Sequence, residues 1–299
     1  IRSNLLAPLD DILVRNNITD LSSAHDALRQ DGKLYGLDMV TVAFGLLYNS
    51  DRYKAANVTP ATTPEDWVAL STALTNRDQQ QYGFFTSHLV SEASDFWFQL
   101  EVWCMPYGGK WAEGKTPLLT SEPIIKGLKL FKQMYDGAMP QGTDTPTGTR
   151  LFGTGAVAQE FIVSAAVGSL KPDYPETYPK LMSAPIPWAS NKSIARIHPM
   201  MVNASSPVKD AAIEFVNYMY VKDNYRRMVE GCEDVIFAIP SAARQEYLDN
   251  LHWLKPGFDG VDYLTPFDIV GDFVYNFNEF GQIVITNFAD ALNGAKSVE

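Results

Sequence analysis

Residues 31–51 read DGKLYGLDMVTVAFGLLYNSD, and the apolar part of this stretch, residues 41–48, predicts a buried β-strand. Further short runs rich in Val, Ile, Leu and Phe are also predicted strands: residues 82–85, 156–163, 181–186, 197–202 and 235–238. Helical patterns separate these runs. Strands that alternate with helices are typical of an α/β architecture, which is the fold class that the sequence predicts.

Several of the intervening segments carry clear helix signals. Residues 63–66, TPED, provide an N-cap hydroxyl, a proline at the first helical position and carboxylates in the first turn. A second helix is expected from Ser121 to a C-cap glycine at Gly137. A third helix, beginning near Ser206, is expected to bury Phe215 together with its apolar neighbours.

The composition of the chain is acidic. Of 299 residues, 35 are Asp or Glu and 24 are Lys or Arg, which gives a net charge of −11 and a pI near 4.8. A nucleic-acid partner requires a basic surface that neutralises phosphates, so the composition argues against one. No run reaches the roughly 20 consecutive apolar residues of a membrane-spanning helix, and we expect a soluble chain.

The two cysteines, Cys104 and Cys232, are too few for a disulfide framework or a structural zinc site. One bridge between them in an oxidising compartment is an open alternative to two buried free thiols, which we prefer. The chain begins Ile1-Arg2-Ser3 with neither a starting Met nor a signal segment. This start predicts either a processed chain or a fragment.

Residues that could support catalysis or hold a cofactor form no recognised pattern. The histidines, at positions 25, 88, 198 and 252, have no partner at metal-ligand spacing, and the serine hydrolase string G-x-S-x-G is absent. Residues 153–158, GTGAVA, match the nucleotide-binding string G-x-G-x-x-A, but a strand follows them instead of a helix. We therefore expect no metal, no nucleotide cofactor and no enzyme activity.

Aromatic residues make up 12% of the chain, and several cluster in residues 96–107 and 275–280, with Trp188 between these segments. Aromatic rings stack on the apolar faces of sugar rings, while nearby carboxylates and amides bind the hydroxyls. This composition favours an acidic, aromatic-lined cleft for a neutral carbohydrate. The alternative is that most of these rings belong to the core, which is the preferred interpretation for any single ring.

Residues 31–37, DGKLYGL, followed by residues 46–51, LLYNSD, resemble a signature of the extracellular solute-binding proteins of the maltose-binding type. Further segments resemble motifs of that family in the same order: residues 64–67, 82–84, 107–109, 152–158, 183–187 and 205–216. Each string alone is weak. Their shared order from residue 31 to residue 216 is specific.

The resemblance implies a type II periplasmic-binding-protein fold. Two α/β lobes then interleave through a hinge of several crossing segments, and the ligand lies between them. By alignment with the family, the crossings are expected at residues 38–42, 196–200 and 260–265. Lobe one is expected to contain residues 1–39 and 200–262, and lobe two residues 40–199 and 263–299.

Two departures from the family pattern stand out. Two βα units that precede the segment matched by residues 5–11 are absent, which implies a fragment lacking roughly 60 to 100 residues of lobe one. Many sugar binders continue the strand matched by residues 156–163 with G-x-W, whereas this chain continues with Phe161 and Ile162. Phe161 or Trp188 is expected to replace that tryptophan, or the ligand is smaller or less sugar-like.

The function that the resemblance implies is capture of a small solute, a mono- or oligosaccharide, for membrane permease subunits of an ABC importer. We expect a periplasmic or extracellular monomer without a cofactor; a lipid anchor on the full-length form is an open option. Alignment with the family proposes these ligand-binding residues: Thr41, Phe44, Asp95, Trp97, Trp103, Glu160, Phe161, Trp188, His198 and Gln282.

Other ligands and one other class of function stay open. The same fold could bind a polyol, an anion or a polyamine. A cleft lined by Arg or Lys would favour an anion, and one lined by clustered Asp and Glu a polyamine. A glycoside hydrolase is the alternative from another class, and it requires two carboxyl groups about 5 to 10 Å apart across a cleft.

Overall fold

The computed structural model describes residues 4–104, 107–187, 192–232, 235–255, 257–259, 261–264 and 270–299. Helices and strands alternate along these residues, which confirms the α/β fold class. Trp188 and both ends of the expected third crossing, residues 260 and 265, lie outside the described residues. Within the described part of the chain, no helix is long and apolar enough to cross a bilayer.

The structure contains α-helices, β-strands and short 3-10 helices. The α-helices are α1 (Asp10–Arg15), α2 (Ser50–Ala56), α3 (Pro64–Ala73), α4 (Ala93–Cys104), α5 (Glu122–Ala138), α6 (Thr145–Gly153), α7 (Ser164–Val167), α8 (Leu170–Asp173), α9 (Lys209–Tyr220), α10 (Lys222–Glu230), α11 (Gln245–Asn250) and α12 (Phe277–Leu292). The strands are β1 (Arg29–Gln30), β2 (Lys33–Leu34), β3 (Leu37–Asp38), β4 (Val40–Asn49), β5 (Ala112–Glu113), β6 (Thr116–Pro117), β7 (Gln159–Val163), β8 (Leu181–Ala184), β9 (Lys192–Arg196), β10 (Pro199–Met200), β11 (Ile236–Phe237) and β12 (Asp262–Leu264). The 3-10 helices are Ser23–Leu28, Arg77–Gln79, Val90–Glu92, Tyr178–Lys180, Pro240–Ala242 and Gly271–Asn276.

The ten-residue strand β4 organises the main sheet. Its first residues pair with β11, where Ile236 lies opposite Thr41, and its later residues pair with β7 and β8, all antiparallel. Between them Val42 lies opposite Arg196 of β9, and β12 extends the sheet by pairing parallel to β9. The strand expected at residues 41–48 is confirmed. Its side chains alternate between two covered faces of the sheet.

Two of the other predicted strands are wrong in extent. Residues 82–85 make only isolated parallel bridges to residues 157 and 160. The run at residues 197–202 contains just β10, because Pro199 has no N–H with which to continue a ladder. The longer strand β9 lies immediately before this run and begins at the polar Lys192, so the apolar pattern does not reveal it.

The helix α3 follows the sequence closely, whereas α9 begins at Lys209, three residues after the expected start, and α5 ends later than expected. The Thr63 hydroxyl accepts a hydrogen bond from the N–H of Asp66 and caps α3, as expected. The expected C-cap at Gly137 is wrong, since α5 continues through this residue. A Cβ at Gly137 would lie 2.5 Å from Oγ1 of Thr72, so the glycine allows α5 to pack closely against α3.

Two expectations about burial are corrected. Phe215 is 59% exposed, because α9 turns Val216 and Tyr220 towards the core instead. The thiols of Cys104 and Cys232 are both free, but only Cys104 is buried. The open choice between a disulfide and free thiols is thereby settled for this structure, and the expected burial fails for Cys232.

Three large apolar cores and one small cluster, formed by Tyr53, Leu74 and Ala158, hold the described residues together. The first core joins buried side chains from residues 7–37 and 202–242. The second core joins buried side chains from residues 44–194 and 270–292, including Phe44 and Ile194. The third core includes Leu47 of β4, Ala24 and buried residues of the segment 251–258.

The chain passes twice between the first core and the second core. Leu37 is buried in the first core and Phe44 in the second. On the return, Ile194 is buried in the second core and Val202 in the first. β3 and β10 pair antiparallel between these points. Two paired strands therefore connect separately packed regions.

The contact between β4 and the ring of Phe258 generates a stability prediction. A Cβ at Gly45 would lie 2.2 Å from Cζ of Phe258, so Gly45→Ala overpacks this site. We expect the free energy of unfolding, measured with urea, to fall by about 1–3 kcal/mol. Phe258→Leu, measured alone as the control, should reduce the further cost of Gly45→Ala. An equal cost in both backgrounds would contradict the contact.

Candidate functional site

The candidate site lies where β4, β9 and the start of α4 meet. Val42 and Arg196 are directly opposed, and side chains alternate along a strand, so Arg196 and Phe44 share one face of the sheet. α4 packs on this face. Asp95 and Phe98 lie three residues apart on α4 and both contact the Arg196 guanidinium. Three separate elements thus supply one cluster.

The guanidinium of Arg196 is held by one opposite charge and two aromatic rings. It forms an ion pair with the carboxylate of Asp95. Its Cζ atom lies 4.3 Å from the ring centre of Phe98 and 5.5 Å from that of Phe44. Nε is buried and has no hydrogen-bond partner among the described residues. The Arg196 and Asp95 side chains are 28% and 43% exposed, so the pair remains accessible to a ligand.

A cavity of about 210 Å³ lies between the start of α4 and the start of α12. It is lined by Ala93, Ser94, Trp97, Phe277, Asn278, Gly281, Gln282 and Ile285. The indole Nε1 of Trp97 is buried without a hydrogen-bond partner in the described part of the chain. Gln282 is exposed at the cavity. Trp97 and Gln282, two of the expected ligand-binding residues, therefore border the same cavity. This cavity lies against α4, the helix that also carries Asp95.

Thr41 and Glu160 lie on the opposite face of the sheet. Glu160 is opposite Leu47, and its buried carboxyl accepts a 2.6 Å hydrogen bond from the hydroxyl of Thr149. Burial raises the pKa of Glu160 to about 8. The hydroxyl of Thr41 donates to that of Ser22 over 3.4 Å. Neither side chain reaches the face that carries the ion pair.

Trp103 and Phe161 are core residues in this structure. Trp103 is 0% exposed and stacks on Trp67, with the ring centres 4.9 Å apart. Phe161 stacks behind Phe44 with the ring centres 6.1 Å apart, and it is also buried. For these two rings the core interpretation applies, although Phe161 supports a ring of the site.

The remaining expected residues are His198 and Trp188. The His198 side chain is exposed two residues beyond Arg196, and the His198 N–H donates to the carboxyl of Asp38. Trp188 lies outside the described residues. The structure thus brings Phe44 and Asp95 into the cluster, while His198 lies near it along the chain.

Sequence reasoning missed Arg196 and Phe98 as site residues. Phe98 belongs to the aromatic segment 96–107, but alignment with the family favours its neighbour Trp97. Arg196 ends β9, which the sequence did not predict as a strand. A buried strand that ends in arginine needs a nearby opposite charge, and this signal could have pointed to Asp95.

The site is suited to binding polar, uncharged groups. An ion pair with this exposure contributes only about 0–1 kcal/mol to the free energy of unfolding. A need for stability is therefore a weak explanation for the presence of the pair. The guanidinium supplies N–H donors and the carboxylate supplies acceptors, which together match hydroxyl groups. Among the described residues, no group of three or more His, Cys, Asp or Glu side chains is arranged to hold a metal ion.

Comparisons with known proteins identify the family of the chain. Residues 1–251 match the sequence profile of the family described as bacterial extracellular solute-binding protein. A probable amino-acid ABC transporter periplasmic-binding protein of Sinorhizobium fredii is 26% identical over 211 residues. That alignment covers 67% of this chain and 47% of the relative, so the chain spans about half the length of this curated relative.

Solved structures with low sequence identity share the fold. An ABC transporter solute-binding protein from Thermotoga lettingae, bound with α-D-tagatose, has a TM-score of 0.80 and 17% identity, covering 100% of this chain and 78% of that one. The sugar-binding protein MalE of Xanthomonas citri has a TM-score of 0.80 and 16% identity, covering 99% and 76%. These similarities confirm the expected two-lobed periplasmic-binding-protein fold.

The buried carboxyl of Glu160 generates a pH-dependent stability prediction. Its pKa is about 8 in the folded chain, against 4.5 for an unperturbed glutamate, so the folded chain holds one more proton between these values. Wild-type stability therefore falls as the pH rises through this window. Glu160→Gln keeps the acceptor for Thr149 and removes the titration. We expect it to match wild type near pH 4 and to exceed it by about 4 kcal/mol at pH 8.

Urea denaturation at several pH values from 4 to 8 measures this difference. Glu176→Gln is the matched control, because Glu176 is an exposed glutamate in a turn outside the helices and strands. The control should track wild type at every pH. A Glu160→Gln difference that stays constant with pH would contradict a protonated, buried Glu160.

Proposed function

We propose, on the premise that this chain belongs to the bacterial extracellular solute-binding proteins, that it captures a sugar or polyol between two lobes for an ABC importer. Capture involves no chemical step. Contacts that form only in the closed state shift the lobes towards closure. The observation that carries the proposal is the accessible ion pair of Arg196 and Asp95 between Phe44 and Phe98.

We also propose the division of the chain into lobe one, residues 1–39 and 200–262, and lobe two, residues 40–199 and 263–299. The first core draws its buried residues only from the lobe-one ranges, and the second core only from the lobe-two ranges. The third core contains buried residues from the ranges of both lobes, as expected for a core along the boundary between the lobes. This distribution supports lobes that pack separately and are joined at β3, β4, β9 and β10.

The charges at the site favour a neutral ligand. An anion would require an uncompensated cation, and a polyamine would require clustered free carboxylates. Here one guanidinium is matched by one carboxylate. Hydroxyl groups can add hydrogen bonds to both partners without separating them. The aromatic rings beside the pair suit the C–H faces of a sugar or polyol.

An amino acid is the competing ligand, since the Sinorhizobium fredii relative is described as a probable amino-acid binder. A zwitterion would place its carboxylate on Arg196 and its ammonium group on Asp95. Both charges would then have to leave their existing partner. The Thermotoga lettingae structure, which is bound with α-D-tagatose, gives the sugar assignment further support.

We propose that the protein acts as a monomer outside the cytoplasmic membrane, with permease subunits as its partners. The description of its family as extracellular supports this location. The description of the Sinorhizobium fredii relative as part of an ABC transporter supports the partners. Reconstitution with permease subunits would test this part of the proposal separately from ligand binding.

The ligand can be identified by mass spectrometry of material released when the purified protein is denatured. Calorimetric titration with a panel of sugars, polyols and amino acids then measures affinity. We expect a sugar or polyol to bind and to be recovered unchanged. Binding of amino acids alone would contradict the ligand class, and release of shorter products from oligosaccharides would indicate a hydrolase.

The role of Arg196 can be tested with Arg196→Gln. Loss of a charged hydrogen-bond donor is expected to weaken binding of the identified ligand by about 10- to 100-fold. The free energy of unfolding should change by no more than about 1 kcal/mol, because the pair is partly exposed. Glu160→Gln, on the opposite face, is the control and should retain affinity. Unchanged affinity in Arg196→Gln would contradict the site.

A further inference from the structure

The carboxyl of Asp38 is buried where the two connecting segments meet. Asp38 is 0% exposed, and its Oδ1 accepts a 2.5 Å hydrogen bond from the N–H of His198. In the pairing of β3 with β10, Asp38 lies opposite Pro199. At the neighbouring pair, the N–H of Met39 donates to the carbonyl of His198 over 3.4 Å. The side chain of Asp38 adds a second link between the two segments.

The backbone of Asp38 is tied to a third segment. Its N–H donates to Nε2 of His25, in the 3-10 helix Ser23–Leu28, over 3.0 Å. Nε2 must therefore be the unprotonated nitrogen, and Nδ1 donates to the carbonyl of Ser22 over 3.1 Å. Burial lowers the pKa of His25 to about 4, which keeps the ring in the neutral form that this arrangement requires.

Among the described residues, the titratable groups that face this carboxyl are His25, His198, Tyr220 and Tyr225. The two tyrosine hydroxyls donate to the backbone carbonyls of residues 37 and 39, on either side of Asp38. Each hydroxyl has a single proton, so neither donates to the carboxyl. None of these four groups carries a permanent positive charge that would stabilise the carboxylate. Burial accordingly raises the pKa of Asp38 to about 7.

We propose that Asp38 is a positioning residue for lobe closure. Its carboxyl group fixes the first connecting segment against the second, and its N–H fixes that segment against lobe one through His25. The inference rests on the proposed function, which places these segments between two moving lobes. Holding the segments at Asp38 confines bending to the side of lobe two, where β4 and β9 pair.

The charge of the carboxyl decides how favourable this link is. No compensating positive charge accompanies the buried carboxylate, so it is destabilised relative to the neutral acid. As the pH rises through about 7, Asp38 loses its proton, and arrangements that expose the carboxylate to water become more favourable. The lobes should then sample a wider range of orientations. His25 keeps its neutral form in this window, because its pKa is about 4.

The spread of lobe orientations can be measured by pulsed electron paramagnetic resonance. Spin labels at Asp210→Cys on α9 and Glu65→Cys on α3 report the distance between the lobes. Cys232→Ser removes the exposed thiol, and Cys104 is buried. The unliganded, spin-labelled protein is measured at pH 8 and pH 6 in three forms. One form keeps Asp38, and each of the other two carries a substitution at this position.

The substitutions are Asp38→Asn, which keeps an acceptor but cannot ionise, and Asp38→Leu, which keeps none. With Asp38 present, we expect a narrow distance distribution at pH 6 that broadens at pH 8. Asp38→Leu should be broad at both values. Asp38→Asn should be narrow at both, because its amide keeps an acceptor for the N–H of His198 and carries no charge. Hydrogen-exchange protection of the His198 amide at pH 6 should fall by about tenfold in Asp38→Leu.

Identical distance distributions in wild type and Asp38→Leu at pH 6 would overturn the inference. So would a broadening with pH that persists in Asp38→Asn, because another group would then be responsible. If Asp38→Leu does not fold, the pH comparison between wild type and Asp38→Asn remains decisive. None of these measurements uses a ligand. They can therefore be interpreted even if no sugar binds. A negative result at Asp38 would likewise not affect the binding measurements.

Discussion

The pairing of β4 along both of its edges is the constraint on which the rest of the structure depends. One ten-residue strand takes hydrogen bonds from β7, β8, β9 and β11, and all four run antiparallel to it. These pairings set the register of segments that are far apart in the sequence. They also carry the chain from the first core into the second core, so one strand determines both the sheet and the connection between the separately packed regions.

Register on this strand decides which side chains can act together. Phe44 lies two residues after Val42, and Val42 is paired with Arg196, so Phe44 and Arg196 share a face. Thr41 and Glu160 belong to the other face. The two faces place their charges in different environments. Arg196 is partly exposed and neutralised by Asp95. Glu160 is buried with a hydroxyl as its partner, and it holds its proton instead.

The sequence predicts the local parts of this arrangement and misses the parts that depend on distant neighbours. The apolar run at residues 41–48 and the cap at Thr63 are local signals, and both are confirmed. Gly137 follows a valid local rule for ending a helix, but close contact with Thr72 overrides it. The pattern of apolar residues on α9 does not reveal which stripe meets the core. It therefore fails to predict that Phe215 is exposed.

The candidate site shows the same limit. Aromatic composition points to the correct helix, since Asp95, Trp97 and Phe98 all lie on α4. Which of them meets the sheet depends on the packing of α4 against β9, and β9 is short and begins with polar residues. Arg196 could be recognised as a site residue only after its partner was located. Long-range contacts, not residue type, separate the residues of the site from those of the core.

The same sheet has a consequence for how the chain reaches its native state. Among the described residues, each strand that pairs with β4 begins at residue 159 or later, so residues 50–158 must be made first. Forming such distant contacts is slow, because the chain loses the entropy of a long loop before any pairing is gained. Until then both edges of an apolar strand are open to other chains. A partly synthesised chain is therefore most prone to aggregate at the strand that later organises the sheet.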